Sequence, residues 1–429
     1  MATMDGLEHF APAFKVLLVG LSFGLVQAIT PTEAYVAKRA ACTPASANNI
    51  ATDDVPSIAA AIKSCGNGGT IVIPAGQTYS IRSTLSFAGC VNCNFHVEGT
   101  LLLSNDTTFW NGKGSVYEVT SITGLHMQSV TGTGVIDGNG LPFWTLFSSN
   151  SSFARPTILT ITSSRDVTIS NLKFLNAPNV FHSVGGDSTN ILYESLLLNA
   201  TSTATVVAKN TDGFDVGPSS FVTIKNVNVI NDVCSFRSFS PAHKFTKKQD
   251  DCVALKNGAD FTLVQNITCT GSHGLSVGSL GSGAGQKTSV TNAFLGPALM
   301  INSAKAVGIK LYAGGSTNGI ATVSNVTWSD ITVQNCDYAV QIQSCYDAAD
   351  TSDCTPNTDS LTGVIFQNIV GTTSTKYSPV VANINCSPDA VCDVTLPGFN
   401  VKPPSGSAEV LCSNIDDSLG VTCSGAASG

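Results

Sequence analysis

Charge is scarce in this chain. Only 12% of its 429 residues are Asp, Glu, Lys or Arg, and the formal net charge is -8. With 21 basic residues against 29 acidic ones, it is a poor match for nucleic acid, whose phosphates call for a basic face. Trp is rare, at 3. A β-propeller is the runner-up fold, but there is no Trp-Asp or blade-length aromatic repeat. No apolar run is long enough to span a bilayer. GSLGSGAG, at 278–285, is glycine-rich like a phosphate loop. It lacks the Gly-Lys pair and the strand-to-helix setting that such a loop needs.

Turn and strand formers are plentiful. There are 39 Gly, with many Asn, Ser, Thr and Val, and 43% of residues are hydrophobic. That suits an all-β chain with a large core, and elongated all-β folds reach this length as one domain. The N-terminus reads as a targeting segment. Lys15 precedes VLLVGLSFGLV, and Val26-Gln27-Ala28 ends the run with a small residue. Asp5 and Glu8 are unusual in such a segment. Lys38-Arg39 offers a dibasic processing site, so 1–39 reads as signal peptide and propeptide, with the mature chain from Ala40.

Secretion fits the sequons Asn105, Asn150, Asn199, Asn266, Asn325 and Asn385, and the 14 cysteines. In an oxidising compartment the spacing pairs Cys252 with Cys269, Cys345 with Cys354, Cys386 with Cys392, and Cys412 with Cys423. Cys42 with Cys65 and Cys90 with Cys93 are further candidates. Cys90-Val-Asn-Cys93 with His96 could instead hold zinc, but no second ligand pair stands nearby.

The body repeats one phrase. VTISNLKF, VTIKNVNV, FTLVQNITC, ATVSNVTW and VIFQNIV each carry an Asn between β-branched residues, at Asn171, Asn226, Asn266, Asn325 and Asn368. Looser copies lie at Ser195 and Asn292. Short alternating strands at this period predict a parallel β-helix over 40–429, in which each coil buries its apolar side on the next. Equivalent asparagines would then stack as a ladder. DDVPSIAAAIKSC predicts a short capping helix with Asp54 as N-cap and Val55, Ile58 and Ile62 facing the first coil.

Three phrases gather acids: NTDGFDVG at 210–217, QDDCVALK at 249–256 and GSHGLSVGS at 271–279. Each alone is ordinary: a turn, a solvated acid pair, a satisfied histidine. One coil apart, they would stack Asp212, Asp250, Asp251 and His273 on one face. Crowded carboxylates raise one another's proton affinity, which destabilises a fold unless it has a use. One use is glycoside hydrolysis, with one carboxyl protonating the leaving oxygen and others activating water. A carbohydrate-binding wall protein is the non-enzyme alternative, and it would not require acids in register.

These phrases resemble the active-site motifs of the polygalacturonase family, glycoside hydrolase family 28, with similarity from about Cys42 to Cys423. The resemblance implies a right-handed parallel β-helix that hydrolyses pectic polysaccharide with inversion and needs no cofactor or metal. It makes Asp250 the general acid, Asp212 and Asp251 the pair that positions water, and His273 a residue that tunes the acid. Lys310 would pair with a substrate carboxylate, and Tyr338 and Asn210 would contact the sugar. The family's Arg-Ile-Lys stands here as Gly308-Ile309-Lys310. Loss of that arginine, with GSLG after the histidine, is most similar to the fungal exopolygalacturonases, which release galacturonic acid from the non-reducing end. Endo-polygalacturonase and xylogalacturonan or rhamnogalacturonan hydrolysis are the alternatives. A monomer is the default for a capped solenoid.

One segment breaks the rhythm. Val233–Gln249 holds Arg237, Lys244, Lys247 and Lys248, and stretches the step from Asn226 to Asn266 to 40 residues; without its 17 residues the step is 23. It reads as an anomalous insertion, either a retained intron or a basic loop at the cleft rim. Removing it would also take Cys234, leaving Cys336 as the unpaired thiol.

Overall fold

The computed structural model describes residues 40–202, 206–231, 250–314, 317–348, 354, 358–415 and 417–428. The targeting segment 1–39 and the insertion 233–249 therefore lie outside the described residues. From Ala41 onward the chain winds as a right-handed parallel β-helix. Among the described residues every pairing between strands is parallel, each strand bonding to its counterpart one coil away; one ladder runs from Leu85–Ser86 through Phe214–Val216, Val253–Leu255, Leu275–Leu280, Lys305–Tyr312 and Tyr338–Tyr346 to Gly425–Ala426. Alternate residues point into a continuous apolar core, as in Val227, Val229, Val264, Ile267 and Val326, all buried.

The helix Val55–Cys65 lies over the strands Ala41–Cys42, Thr70–Ile73 and Leu85–Ser86, with Val55, Ile58, Ala61, Ile62 and Cys65 buried. It covers apolar surface and strand edges that would otherwise stand open. Asp54 stands at the expected N-cap position, its carbonyl accepting from the Ile58 amide at 3.1 Å, but its side chain makes no capping bond to the helix. It is buried and accepts instead from the Ala47 and Ser80 amides, at 2.7 and 2.8 Å. It thereby ties the entering chain to the first coil.

The asparagine ladder is present but is divided between two turns. Asn266 donates to Asn226 at 2.7 Å, and Asn325 donates to Asn292 at 2.7 Å. All four have φ between 50° and 57°, a left-handed conformation that Asn tolerates well. Yet Ile267 pairs with Ala298, while Ala293 pairs with Thr262, so Asn292 stands opposite Phe261 and not Asn266. The repeated phrase merges two different corners of the coil. At that second corner Phe221 and Phe261 also have positive φ, and their exposed rings stack 5.0 Å apart.

Disulfides join Cys42–Cys65, Cys90–Cys93, Cys252–Cys269, Cys345–Cys354, Cys386–Cys392 and Cys412–Cys423. The Cys90–Cys93 bridge uses the two thiols that a zinc site with His96 would need as thiolates. The Cys336 thiol is buried and reaches the Met300 carbonyl oxygen at 3.4 Å. Of the sequon asparagines, Asn105, Asn150, Asn266 and Asn325 are exposed, whereas Asn199 and Asn385 are half-buried. Asn266 and Asn325 already commit an amide hydrogen to the ladder.

Candidate active site

The register builds the site. Phe214, Val253, Leu275, Val307 and Val340 are paired in succession across five strands. Two residues before each stand Asp212, Asp251, His273, Lys305 and Tyr338. Backbone bonds lock this column: Gly213 donates to the Asp251 carbonyl at 3.0 Å, and His273 to the Asp250 carbonyl at 3.0 Å. The register is continuous on either side of residues 232–249: Ile230 pairs with Thr270 and Phe214 with Val253.

Asp251 is the innermost carboxylate. Its side chain is 1% exposed, and it takes a 2.7 Å bond from Lys310 Nζ and a 2.6 Å bond from Ser276 Oγ, with Lys305 Nζ at 3.8 Å. Burial pushes its pKa up, but Lys310 and then Lys305 outweigh that and hold it well below the usual carboxylate range. Lys310 is pushed up in return, because Asp251 outweighs its own burial.

Asp250 is more open, with 24% of its side chain exposed, and lies 3.5 Å from His273 Nδ1. Asn210 Nδ2 donates to its Oδ2 at 3.1 Å. Burial raises Asp250, but the His273 bond outweighs it, so the carboxyl is held below its ordinary value. Asp212 is the opposite case. Burial first, then Asp215, Asp250 and Asp251, push it well above the carboxylate range. Of the three neighbouring acids, Asp212 is the one whose proton affinity is raised.

Asn210, expected at the sugar, is committed on both sides. Its Oδ1 accepts from Arg155 Nη2 at 2.7 Å while its amide holds Asp250. Arg155 is buried, donates to the Pro178 carbonyl at 2.9 Å, and lies 3.7 Å from the Phe147 ring centre. Tyr338 lies one coil past Lys305 and stacks on Tyr377 at 4.5 Å.

Sequence reasoning missed Arg155, Lys305, Asp215 and Lys256, of which the last two pair at 3.5 Å. Asp215 and Lys256 stood inside the quoted phrases. Lys305 would have emerged from counting two residues before each paired strand position. Arg155 carried no motif.

Asp250, Asp251 and His273 each bring one ligand atom within 4.8 Å of the others. That spacing could suit a divalent cation. However, the Asp251 oxygens already serve Lys310, Lys305 and Ser276, and the two ammonium groups would repel a metal.

The arrangement supplies one carboxyl that is partly open, one with raised proton affinity, and one fixed as an anion by two lysines. Such a set can protonate one oxygen and polarise a water. The family model described as glycosyl hydrolases family 28 matches residues 65–425. A probable endo-xylogalacturonan hydrolase A of Aspergillus flavus is 48% identical over 97% of this chain and 98% of that protein. The crystal structure of endo-xylogalacturonan hydrolase from Aspergillus tubingensis superposes with a TM-score of 0.85, at 48% identity, over 91% of this chain and all of that one. A polygalacturonase from Erwinia carotovora, 18% identical over 88% of this chain and 96% of its own, shares the fold at a TM-score of 0.60. The chain belongs to the glycosyl hydrolases family 28.

Proposed function

We propose that this chain is a secreted pectin-degrading hydrolase that cleaves xylogalacturonan in endo fashion, with inversion. The observation that carries this reading is near-half identity, over almost the whole chain, to proteins described as endo-xylogalacturonan hydrolases. The exo mode expected from Gly308 is not carried forward, because the names of these relatives give it no support and favour the endo alternative.

Asp250 is assigned as the general acid. Of the three neighbouring carboxyls it is the one with an open, hydrogen-bonded flank toward His273 and Asn210. In the free site its proton affinity is held below the ordinary value. A bound polyanion covers it and adds negative charge, and both effects raise its proton affinity. Asp251 stays ionised against its lysines and, with Asp212, positions the attacking water. Lys310, 12% exposed, offers its remaining donors to a uronate carboxylate, and Tyr338 packs against a sugar ring.

Activity is expected to peak at mildly acidic pH. The acid must carry its proton, which is lost as pH rises, while Asp251 is ionised throughout. A pH–rate profile with a neutral or alkaline maximum would contradict this.

A second reading is favoured by the raised proton affinity of Asp212, which would make Asp212 the acid. Leaving-group chemistry separates the two. An acid variant keeps activity on an aryl oligogalacturonide whose phenolate leaves without help, so Asp250→Asn is expected to retain that activity and Asp212→Asn to lose it. The main reading is tested by product profiles on xylogalacturonan and on unsubstituted polygalacturonate. Early mixed oligomers, with faster cleavage of the xylosylated polymer, are expected; monomer alone at early times would overturn the endo assignment.

A further inference from the structure

Two lysines share Asp251, and only one of them is placed to meet a substrate. Lys310 keeps 12% of its side chain exposed, while the Lys305 side chain is 4% exposed. Lys305 enters from the column position two residues before Val307, and its stem runs beside Gly308. A Cβ at Gly308 would lie 2.9 Å from Lys305 Cδ and would strike the Gln341 carbonyl oxygen. The bare backbone at 308 is thus what lets the Lys305 stem take this path to Asp251.

We infer that Lys305 is a positioning residue, holding the Asp251 carboxylate ionised and in place while Lys310 turns its other donors to a carboxylate of the substrate. With Lys310 alone, each uronate that drew its ammonium outward would weaken the anion that orients the water. A second, buried cation uncouples the two tasks. The titratable groups around the pair are Lys310, Asp250, Lys256, His273, Asp212 and Asp215. Burial first, then Lys310, lowers Lys305 to about 8. It is therefore cationic at acidic pH and loses its charge in the mildly alkaline range.

This inference rests on the reading of Asp251 and Lys310 given above. It is tested with full-length Lys305→Met, Lys305→Gln and Lys310→Met, each assayed for kcat and KM on xylogalacturonan and polygalacturonate from pH 3 to 9. Lys310→Met is expected to raise KM. The Lys305 variants are expected to leave KM near wild type and to lower kcat by about tenfold or more, the scale on which one opposite charge affects a carboxylate. A Lys305 that only filled space would lower Tm and leave the kcat of the folded variants near wild type. If Lys305→Met does not fold, Lys305→Gln, similar in length but uncharged, gives the same readout. An active wild type whose folded Lys305 variants keep the wild-type kcat overturns this inference alone. A wild type inactive on every pectic polymer overturns it together with the function it rests on.

Discussion

The corner at Asn226 and Asn266 sets the same side chain on successive coils, whereas the column from Asp212 through Asp251, His273 and Lys305 to Tyr338 changes chemistry at nearly every step. Both obey one spacing. An amide both donates and accepts, so identical amides satisfy each other when stacked. A carboxylate only accepts, so identical carboxylates repel. The column answers its one like-charged contact by raising the proton affinity of Asp212 and ringing Asp251 with lysines. Repetition serves cohesion at the amide corner, and broken repetition gathers ionisable groups in the column.

Substitutions can break this contrast, and the largest effect belongs to the charged wall. Asp250→Asn is expected to lower kcat on the natural polymer by about a thousandfold, with the far-UV spectrum and Tm unchanged. Asp251→Asn should cost stability as well. It leaves two buried lysines without their anion, a loss of about 3–5 kcal/mol, readable in a denaturant titration. Asp212→Asn is expected to act the other way. A carboxyl whose folded pKa lies above its unfolded value costs stability as pH rises between the two. The variant should therefore gain on the wild type as pH rises above the ordinary carboxylate range, in thermal melts.

The amide corner answers more mildly. Asn266→Ala loses one ladder bond and puts a Cβ residue without a local polar partner into left-handed backbone, for about 1–2 kcal/mol, with kcat unchanged. The smallest effect is expected in the core. His182 is buried among Phe174, Tyr193 and Phe214, and neither ring nitrogen has a hydrogen-bond partner among the described residues. Burial lowers its pKa to about 3, so it is neutral. His182→Phe keeps the ring stack and removes the orphaned nitrogens, for a gain of about 1 kcal/mol.

The coil architecture was legible because its periodicity is local: β-branched residues alternate around each Asn. The corner assignment was not, because Asn serves two corners and only the pairing of Ala293 with Thr262 separates them. Asp212, Asp250, Asp251 and His273 announced themselves as phrases. Arg155 did not, since it reaches Asn210 across 55 residues of chain from a stretch with no motif. Asp54 looked like a helix cap, but nothing in the local sequence reveals that Ser80 claims its oxygen.

The pairing on either side of residues 232–249 has a consequence for the site. Ile230 meets Thr270 and Phe214 meets Val253 in unbroken register, although the coil between them is 40 residues long. The scaffold counts strands, not residues: the acids keep their column although 18 residues separate Asn231 from Asp250.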